Sequence, residues 1–441
     1  MDEAPNVVGL PIPSRGLASV RRPSPLSRRA APHEIERPEG ARHATAAHEK
    51  GPVHAVLKPS RPLWRRGVFL PHARRVALEE RGRTIYNLSV GTPDFAPYPH
   101  VVEALTEAAQ DPQMWKYSLR DVPELKQAVC DYYARRFGVE GITPDMVASC
   151  NGTQEGVGHL GLALLDPGDT ILVPDPCYPV FEAGAKIADA ELAYYPLDAE
   201  HDFLPYVAGI DPAVADRAKY MIVSLPANPV GLWATMPSTT RSSRSRASTT
   251  CSSCTTTRTP TSSSTARAAA RSSRIPARSR LAWSSSRFPN RSNVTGARIG
   301  FLVGRPDVVA AFAKLRSQID FGMFLPIQKA AIAALAGPLE EVEEQRLTYQ
   351  ERRDALCDGL ERLGWERPNA HGSMFVWVKL PGGRTDSMAF CEELMEKAGV
   401  IVTPGASFGP HGEGYVRMAL VLPPEGLERA VAAIEEAGIL G

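Results

Sequence analysis

The chain has 441 residues, 43% of them hydrophobic, with a formal net charge of +1. That length exceeds what one core usually fills, and the balanced charge gives no global reason to expect nucleic acid or a strongly acidic partner. No apolar run is long enough to span a bilayer, and the N-terminus lacks the short apolar core of a secretory signal. The seven cysteines are scattered. Only Cys251 and Cys254 have a metal-like spacing, and no second pair or histidine completes it, so no metal is expected and a reducing, cytoplasmic setting fits best.

Residues 1–56 are rich in Pro, Arg, Ala and His without helical or strand periodicity. They read as disordered, or as a start codon assigned too far upstream; Asp2, Glu3, Glu34 and Glu36 argue against an Arg-rich targeting peptide. Ordered patterning becomes clear at Thr84–Val90, a strand-like stretch ending at Gly91 where Gly-Thr-Pro-Asp turns. Pro99 then opens a helix with Val101, Val102, Leu105, Ala108 and Ala109 on one face, and a second helix runs from Val122 to about Arg136.

Apolar runs bounded by turns follow at Thr170–Val173, Met221–Leu225 and Arg298–Val303, separated by helical segments. This pattern predicts an α/β fold with a mainly parallel sheet. After Gly304 helices dominate, notably one from about Leu339 to Leu363. Met374–Leu380 and Tyr415–Leu422 are strand-like, and Pro424 opens a closing helix, which predicts a smaller α+β domain with its boundary near 305–325.

Asn151-Gly152-Thr153-Gln154-Glu155-Gly156 precedes a helical stretch from Val157 to Leu165. Backbone amides at a glycine-rich helix start form a phosphate cradle, although an ordinary capped helix gives the same pattern. Pro174–Pro179 follows a strand, where an open α/β sheet exposes its ligand-binding edge, and Tyr178 there is suited either to stacking on a flat ring or to packing in a turn. Ser224–Pro229 also ends a strand; Asn228 offers an amide donor or a plain Asn-Pro turn. Arg298 and Arg417 each fall in an apolar, strand-like stretch. A buried arginine needs an anionic partner, so each predicts a structural acid or a ligand's phosphate or carboxylate.

Taken in order, Asn87–Phe95, Pro174–Tyr178, Asn293–Gly300 and Phe321–Pro326 resemble the fold-type I pyridoxal-phosphate (PLP) aminotransferases, and within them the LL-diaminopimelate aminotransferase-like group. The resemblance covers about 82–235 and 293–441. It implies a large PLP-binding domain over 96–319, with a mainly parallel seven-stranded-type sheet, and a small domain from 57–95 and 320–441. It implies that Thr153 and Gln154 hold the cofactor phosphate with Arg298, that Tyr178 stacks on the pyridine, and that Asn228 binds the ring oxygen. Gly91 would allow close approach to substrate, Arg417 would grip its α-carboxylate, and Tyr117 would reach the phosphate across a homodimer interface. The implied reaction is transfer of an amino group between an amino acid and a 2-oxo acid. A carbon–sulfur lyase and a non-catalytic binding or regulatory protein on the same fold are the rival readings; a nucleic-acid role through the Arg-rich segments is the weakest.

One segment breaks the pattern. Residues 236–292 are mostly Ser, Thr, Arg and Ala, and the position where such enzymes carry the lysine that forms a Schiff base with the cofactor holds Asn290. The aspartate for the pyridine nitrogen and the tyrosine for the ring oxygen are missing as well. A single-base slip near residue 235, compensated near 290, accounts for all three losses. Threonine codons begin AC and serine codons TC, so the shifted frame recovers Asp, Asn, His or Tyr from the first and Val, Leu, Ile or Phe from the second. Read so, Ser252–Thr265 is compatible with Val-Val-Val-His-Asp-Asn-Ala-Tyr-Thr-Asp-Phe-Val-Phe-Asp, with Thr256 at the aspartate position and Thr259 at the tyrosine position. Ser286–Asn290 is likewise compatible with an ending in lysine. The competing explanation is a genuine Ser/Arg-rich insert. With Asn290 at the lysine position, the chain is expected to be inactive or nearly so.

Overall fold

The computed structural model describes residues 72–439 apart from 225, 232–251, 258–282, 287–292, 369 and 371, and for 252–257 and 283–286 it describes the backbone. Helix α1 (His72–Glu80) leads to β1 (Tyr86–Asn87). The strand expected over Thr84–Val90 is cut to two residues because Asn87 turns the chain: its Oδ1 accepts from the Ser89 N–H at 3.1 Å and from Ser89 Oγ at 2.7 Å. Such a local side-chain bond competes with the sheet ladder.

Prolines start the next helices, α2 (Pro99–Gln110) and α3 (Pro123–Phe137), where a missing N–H costs nothing. Gly138 stops α3 at φ 62°, the left-handed conformation glycine adopts without strain. The chain then runs through β2 (Val147–Cys150), α4 (Thr153–Leu164), β3 (Thr170–Asp175), α5 (Val180–Ile187), β4 (Glu191–Pro196), α6 (Pro212–Arg217) and β5 (Ala218–Ser224). Three further strands, β6 (Ser252–Thr257), β7 (Trp283–Ser286) and β8 (Gly300–Gly304), complete a seven-stranded sheet of order β2-β8-β7-β6-β5-β3-β4. Strand β8 is antiparallel to β2 and β7, and the other pairs are parallel. The mainly parallel sheet expected from the sequence is therefore present.

Strands β3 and β8 are buried along their whole length, which is why they read as continuous apolar runs. Strands β7 and β6 hold the third and fourth places in the sheet, yet their sequences are Trp-Ser-Ser-Ser and Ser-Ser-Cys-Thr-Thr-Thr. Polar runs at interior strands oppose the composition rule that their neighbours obey.

Beyond the sheet come α7 (Pro306–Ile319), α8 (Leu325–Ala336), α9 (Glu340–Arg362), β9 (Phe375–Lys379), α10 (Ser387–Ala398), β10 (Val400–Ile401), β11 (Thr403–Pro404), β12 (Tyr415–Ala419) and α11 (Pro424–Glu436). Strands β11, β12 and β9 form an antiparallel sheet, while β1 pairs in parallel with β10. One apolar cluster joins Leu88 to Leu356 and Leu360 of α9, Leu394 of α10, Val416 of β12 and Leu427 of α11. Each such leucine contributes about 1.5–3 kcal/mol by burial. Met323, Ala331 and Leu335 instead pack with Leu125 and Val129 of α3 and with Phe301 of β8. Among the described residues no helix is long and apolar enough to cross a membrane.

Candidate active site

The turn from β2 into α4 supplies the first wall. Gly152 caps α4 at φ 81°, and Thr153 is the first helical residue. A Cβ at Gly152 would collide with Nη2 of Arg298, so glycine is required both for the backbone angle and for the guanidinium to lie on the turn. Arg298 donates from Nη1 to Thr295 O at 3.3 Å and from Nη2 to Asn151 O at 3.4 Å. Among the described residues it makes no ion pair with a carboxylate. Thr153 is buried and Gln154 exposed, and both lie in the first turn of α4, where backbone N–H groups have no partner within the helix.

Arg298 corrects one expectation. It is neither in a strand nor buried: it sits exposed at φ 52°, ending the short turn Thr295–Ala297, and β8 begins only at Gly300. The apolar run that follows made the arginine look interior. The left-handed conformation at Arg298 instead turns the chain just before the strand enters the sheet.

A charged support lies beneath the turn. Asn151 donates its backbone N–H to Glu155 and its Nδ2 to Asp320 at 2.7 Å. Arg316 of α7, 5% exposed, donates to Ser149 O at 2.6 Å and pairs with Asp320 at 3.0 Å and Glu155 at 3.4 Å. Ligand atoms of Glu155, His159 and Asp320 lie within 4.8 Å of one another, but the Arg316 guanidinium already pairs with both carboxylates and disfavours a cation there.

The second wall follows β3. Tyr178 packs edge-on against Phe181, with centroids 5.9 Å apart, and its hydroxyl donates to Gln154 Oε1 at 3.3 Å. The tyrosine is thereby tied to the α4 turn. Cys177 donates its N–H to Phe408 O at 2.8 Å, and Asp175 lies 2.9 Å from His411 Nδ1, so the segment leading into β12 is pinned beside Tyr178.

Asn228, 2% exposed, stands in the loop after β5. Its Oδ1 accepts from Arg417 Nη1 at 3.0 Å, while its Nδ2 has no hydrogen-bond partner among the described residues. Arg417 of β12 is buried as expected, and its Nη2 donates to Ser89 O at 2.7 Å and Thr403 Oγ1 at 3.2 Å. Its guanidinium lies 4.2 Å from the Phe375 ring centroid and 4.9 Å from that of Phe408. A Cβ at Gly91 would strike the same Phe375 ring, so Gly91, Phe375 and Arg417 form one packed stack. In the sequence Phe375 is one more residue of an apolar strand; the ladder, in which Trp377 on the same strand face is the Cα partner of Arg417, is what brings it to the arginine.

Tyr117 stands apart from these walls, 87% exposed, with its ring centroid 6.3 Å from that of Phe321. Trp115, Leu119 and Phe324 are also exposed, and Trp115 packs edge-on against Phe324. Asn290 and Thr259 lie outside the described residues. The backbone of Thr256, the expected aspartate position, lies on β6 in register with Ser224, the last residue of β5 before the loop that carries Asn228.

The profile of the family described as aminotransferase class I and II matches residues 83–240 and 291–434 and passes over the stretch between them. LL-diaminopimelate aminotransferase of Moorella thermoacetica is 36% identical over 356 residues, spanning 80% of this chain and 90% of that protein. The enzyme of the same name from Aquifex aeolicus is 34% identical over 369 residues, covering 81% and 92%. Among solved structures, substrate-bound BacF from Bacillus subtilis superposes with a TM-score of 0.73 at 32% identity, covering 82% of this chain and 93% of that one. A single mutant of Thermus thermophilus aspartate aminotransferase gives 0.71 at 26% identity, covering 83% and 94%.

Proposed function

From the chain's membership of the class I and II aminotransferases, whose fold it shares, we propose that it is built to bind pyridoxal 5′-phosphate and to act on the substrates of an LL-diaminopimelate aminotransferase-like enzyme, but that with Asn290 it does not complete the reaction. The observation that carries the cofactor assignment is the seat of Arg298 on Gly152: a guanidinium paired with no carboxylate among the described residues, lying against a helix start where a Cβ on Gly152 would collide with it. Helix-start amides and a nearby guanidinium form an anion site.

The residues divide the work in this reading. The Thr153 and Gln154 amides and Arg298 hold the phosphate. Tyr178 covers one ring face and is steadied by Gln154. Since Asn228 Oδ1 is engaged by Arg417, the buried Nδ2 is the group left to donate to the ring oxygen. Arg417 takes the substrate α-carboxylate through its planar fork, and Gly91 admits the substrate beside Phe375. Tyr117 serves a second copy of the chain, and the exposed aromatic surface around it is the homodimer face. Among the described residues five cysteines are buried and outside any disulfide, in keeping with a cytoplasmic setting.

When bound, the cofactor supplies an electron sink for the charge left at the substrate's α-carbon. The protein must then move the α-proton, and an asparagine amide at position 290 has no basic nitrogen to do so.

The frame error is the best account of this loss. Strands β6 and β7 occupy interior places in the sheet, where each buried polar group without a partner costs about 1–3 kcal/mol. The recoded Ser252–Thr257 is compatible with Val-Val-Val-His-Asp-Asn, an apolar strand start with the missing aspartate near its end. Sequencing the DNA that encodes residues 230–295 tests this: two compensating slips are expected, and one unbroken frame would refute them.

A further inference from the structure

We propose that Arg352 is a positioning residue of the carboxylate clamp, setting the distance between the Gly91 loop and the strand that carries Arg417. This rests on the reading of Arg417 as the α-carboxylate site. Arg352 lies on α9, and its side chain is 6% exposed. It grips Asp94 with both nitrogens, Nη1 to Oδ1 at 2.6 Å and Nη2 to Oδ2 at 2.8 Å, while Nη1 also donates to Leu420 O at 3.1 Å. Its guanidinium lies 4.7 Å from the Phe95 centroid and 5.8 Å from that of Tyr349.

The two ends of this contact flank the clamp. Asp94 belongs to the loop that contains Gly91, and Leu420 directly follows β12, which carries Arg417. The same two segments meet again where Arg417 donates to Ser89 O and where the Ala419 N–H donates to Leu88 O at 2.8 Å. Arg352 closes this set of contacts from the far side of the loop. Burying a guanidinium is costly unless its donors meet acceptors with good geometry; here a bidentate carboxylate and a carbonyl engage Nη1 and Nη2, while the buried Nε has no hydrogen-bond partner among the described residues. Without Arg352 the 91–95 loop is free to shift relative to Phe375 and Arg417. The loss then falls on carboxylate binding, while the phosphate turn at Gly152 keeps its own contacts.

The test uses the full chain in isothermal titration calorimetry, first with pyridoxal 5′-phosphate and then with 2-oxoglutarate at saturating cofactor. Arg352→Met is expected to raise the Kd of 2-oxoglutarate about tenfold and to leave the cofactor Kd within about twofold. Arg352→Lys, which keeps the charge but cannot grip bidentately, should recover part of the loss, and Asp94→Asn should behave like Arg352→Met. Unchanged 2-oxoglutarate binding in Arg352→Met would overturn the proposal. So would an equal weakening of both ligands with a lowered melting temperature, which marks a role in packing alone. Arg417→Met reports separately on the underlying reading: if 2-oxoglutarate still binds that variant, the carboxylate assignment fails whatever Arg352 does. If the parent chain binds none, the reading and the proposal fall together.

Discussion

Arg417 Nη1 donates to Asn228 Oδ1 across 3.0 Å, joining the strand assigned to the substrate carboxylate to the loop assigned to the cofactor ring. The bond engages the oxygen end of the Asn228 amide and, in the proposed reading, leaves Nδ2 to donate to the ring oxygen. It also makes Asn228 a test of both assignments at once. Asn228→Asp replaces a neutral acceptor with a carboxylate beside the guanidinium. This internal anion competes with the substrate's, so 2-oxoglutarate binding should weaken about tenfold or more, measured by calorimetry. Tighter or unchanged binding would contradict the placement of the substrate carboxylate at Arg417.

Gly152→Ala should damage the phosphate site directly. The backbone there is at φ 81° and ψ 155°, a region essentially reserved for glycine that costs a residue with a Cβ roughly 1–3 kcal/mol, and the added methyl displaces Arg298. Affinity for pyridoxal 5′-phosphate, followed by fluorescence titration, should fall by about tenfold or more. Arg298→Met should lose a similar amount without the backbone strain. If both variants bind the cofactor as the parent does, the anion site lies elsewhere.

Tyr98 predicts a loss of stability in alkali. Its hydroxyl donates to Glu341 O at 2.9 Å, and burial, reinforced by the carboxylates of Glu341 and Glu344, pushes its pKa up to about 12. The folded state therefore favours the neutral phenol. That contribution is complete below the unfolded value of about 10 and is lost as pH rises from there through about 12. Chemical denaturation of the parent and of Tyr98→Phe between pH 8 and 12 checks the sign. The two curves should converge as pH rises, because only the parent has a buried phenol to ionise; parallel curves would refute the assignment.

Much of this architecture is legible in the sequence because it depends on local rules. Pro99, Pro123 and Pro424 open helices, Gly152 marks the start of α4, and the apolar runs of β3 and β8 are buried strands. What the sequence hides depends on contacts between distant segments. The Asp94–Arg352 pair joins residues 258 positions apart, and no periodicity announces it. Phe375 looks like an ordinary strand residue until Gly91 and Arg417 pack on its ring. Arg298 reads as a strand residue because the apolar run after it describes β8 and not the left-handed turn that precedes it.

The measurement closest to the central claim compares this chain with one restored across 236–292, so that lysine stands at position 290. Each is incubated with pyridoxal 5′-phosphate, reduced with borohydride, weighed by intact mass spectrometry, and assayed for transamination between LL-diaminopimelate and 2-oxoglutarate. The restored chain should retain the cofactor covalently and transaminate. The chain with Asn290 should bind the cofactor reversibly, retain none after reduction, and transaminate slower by about 10²- to 10⁴-fold or more. Covalent retention or comparable turnover by the Asn290 chain would contradict the account.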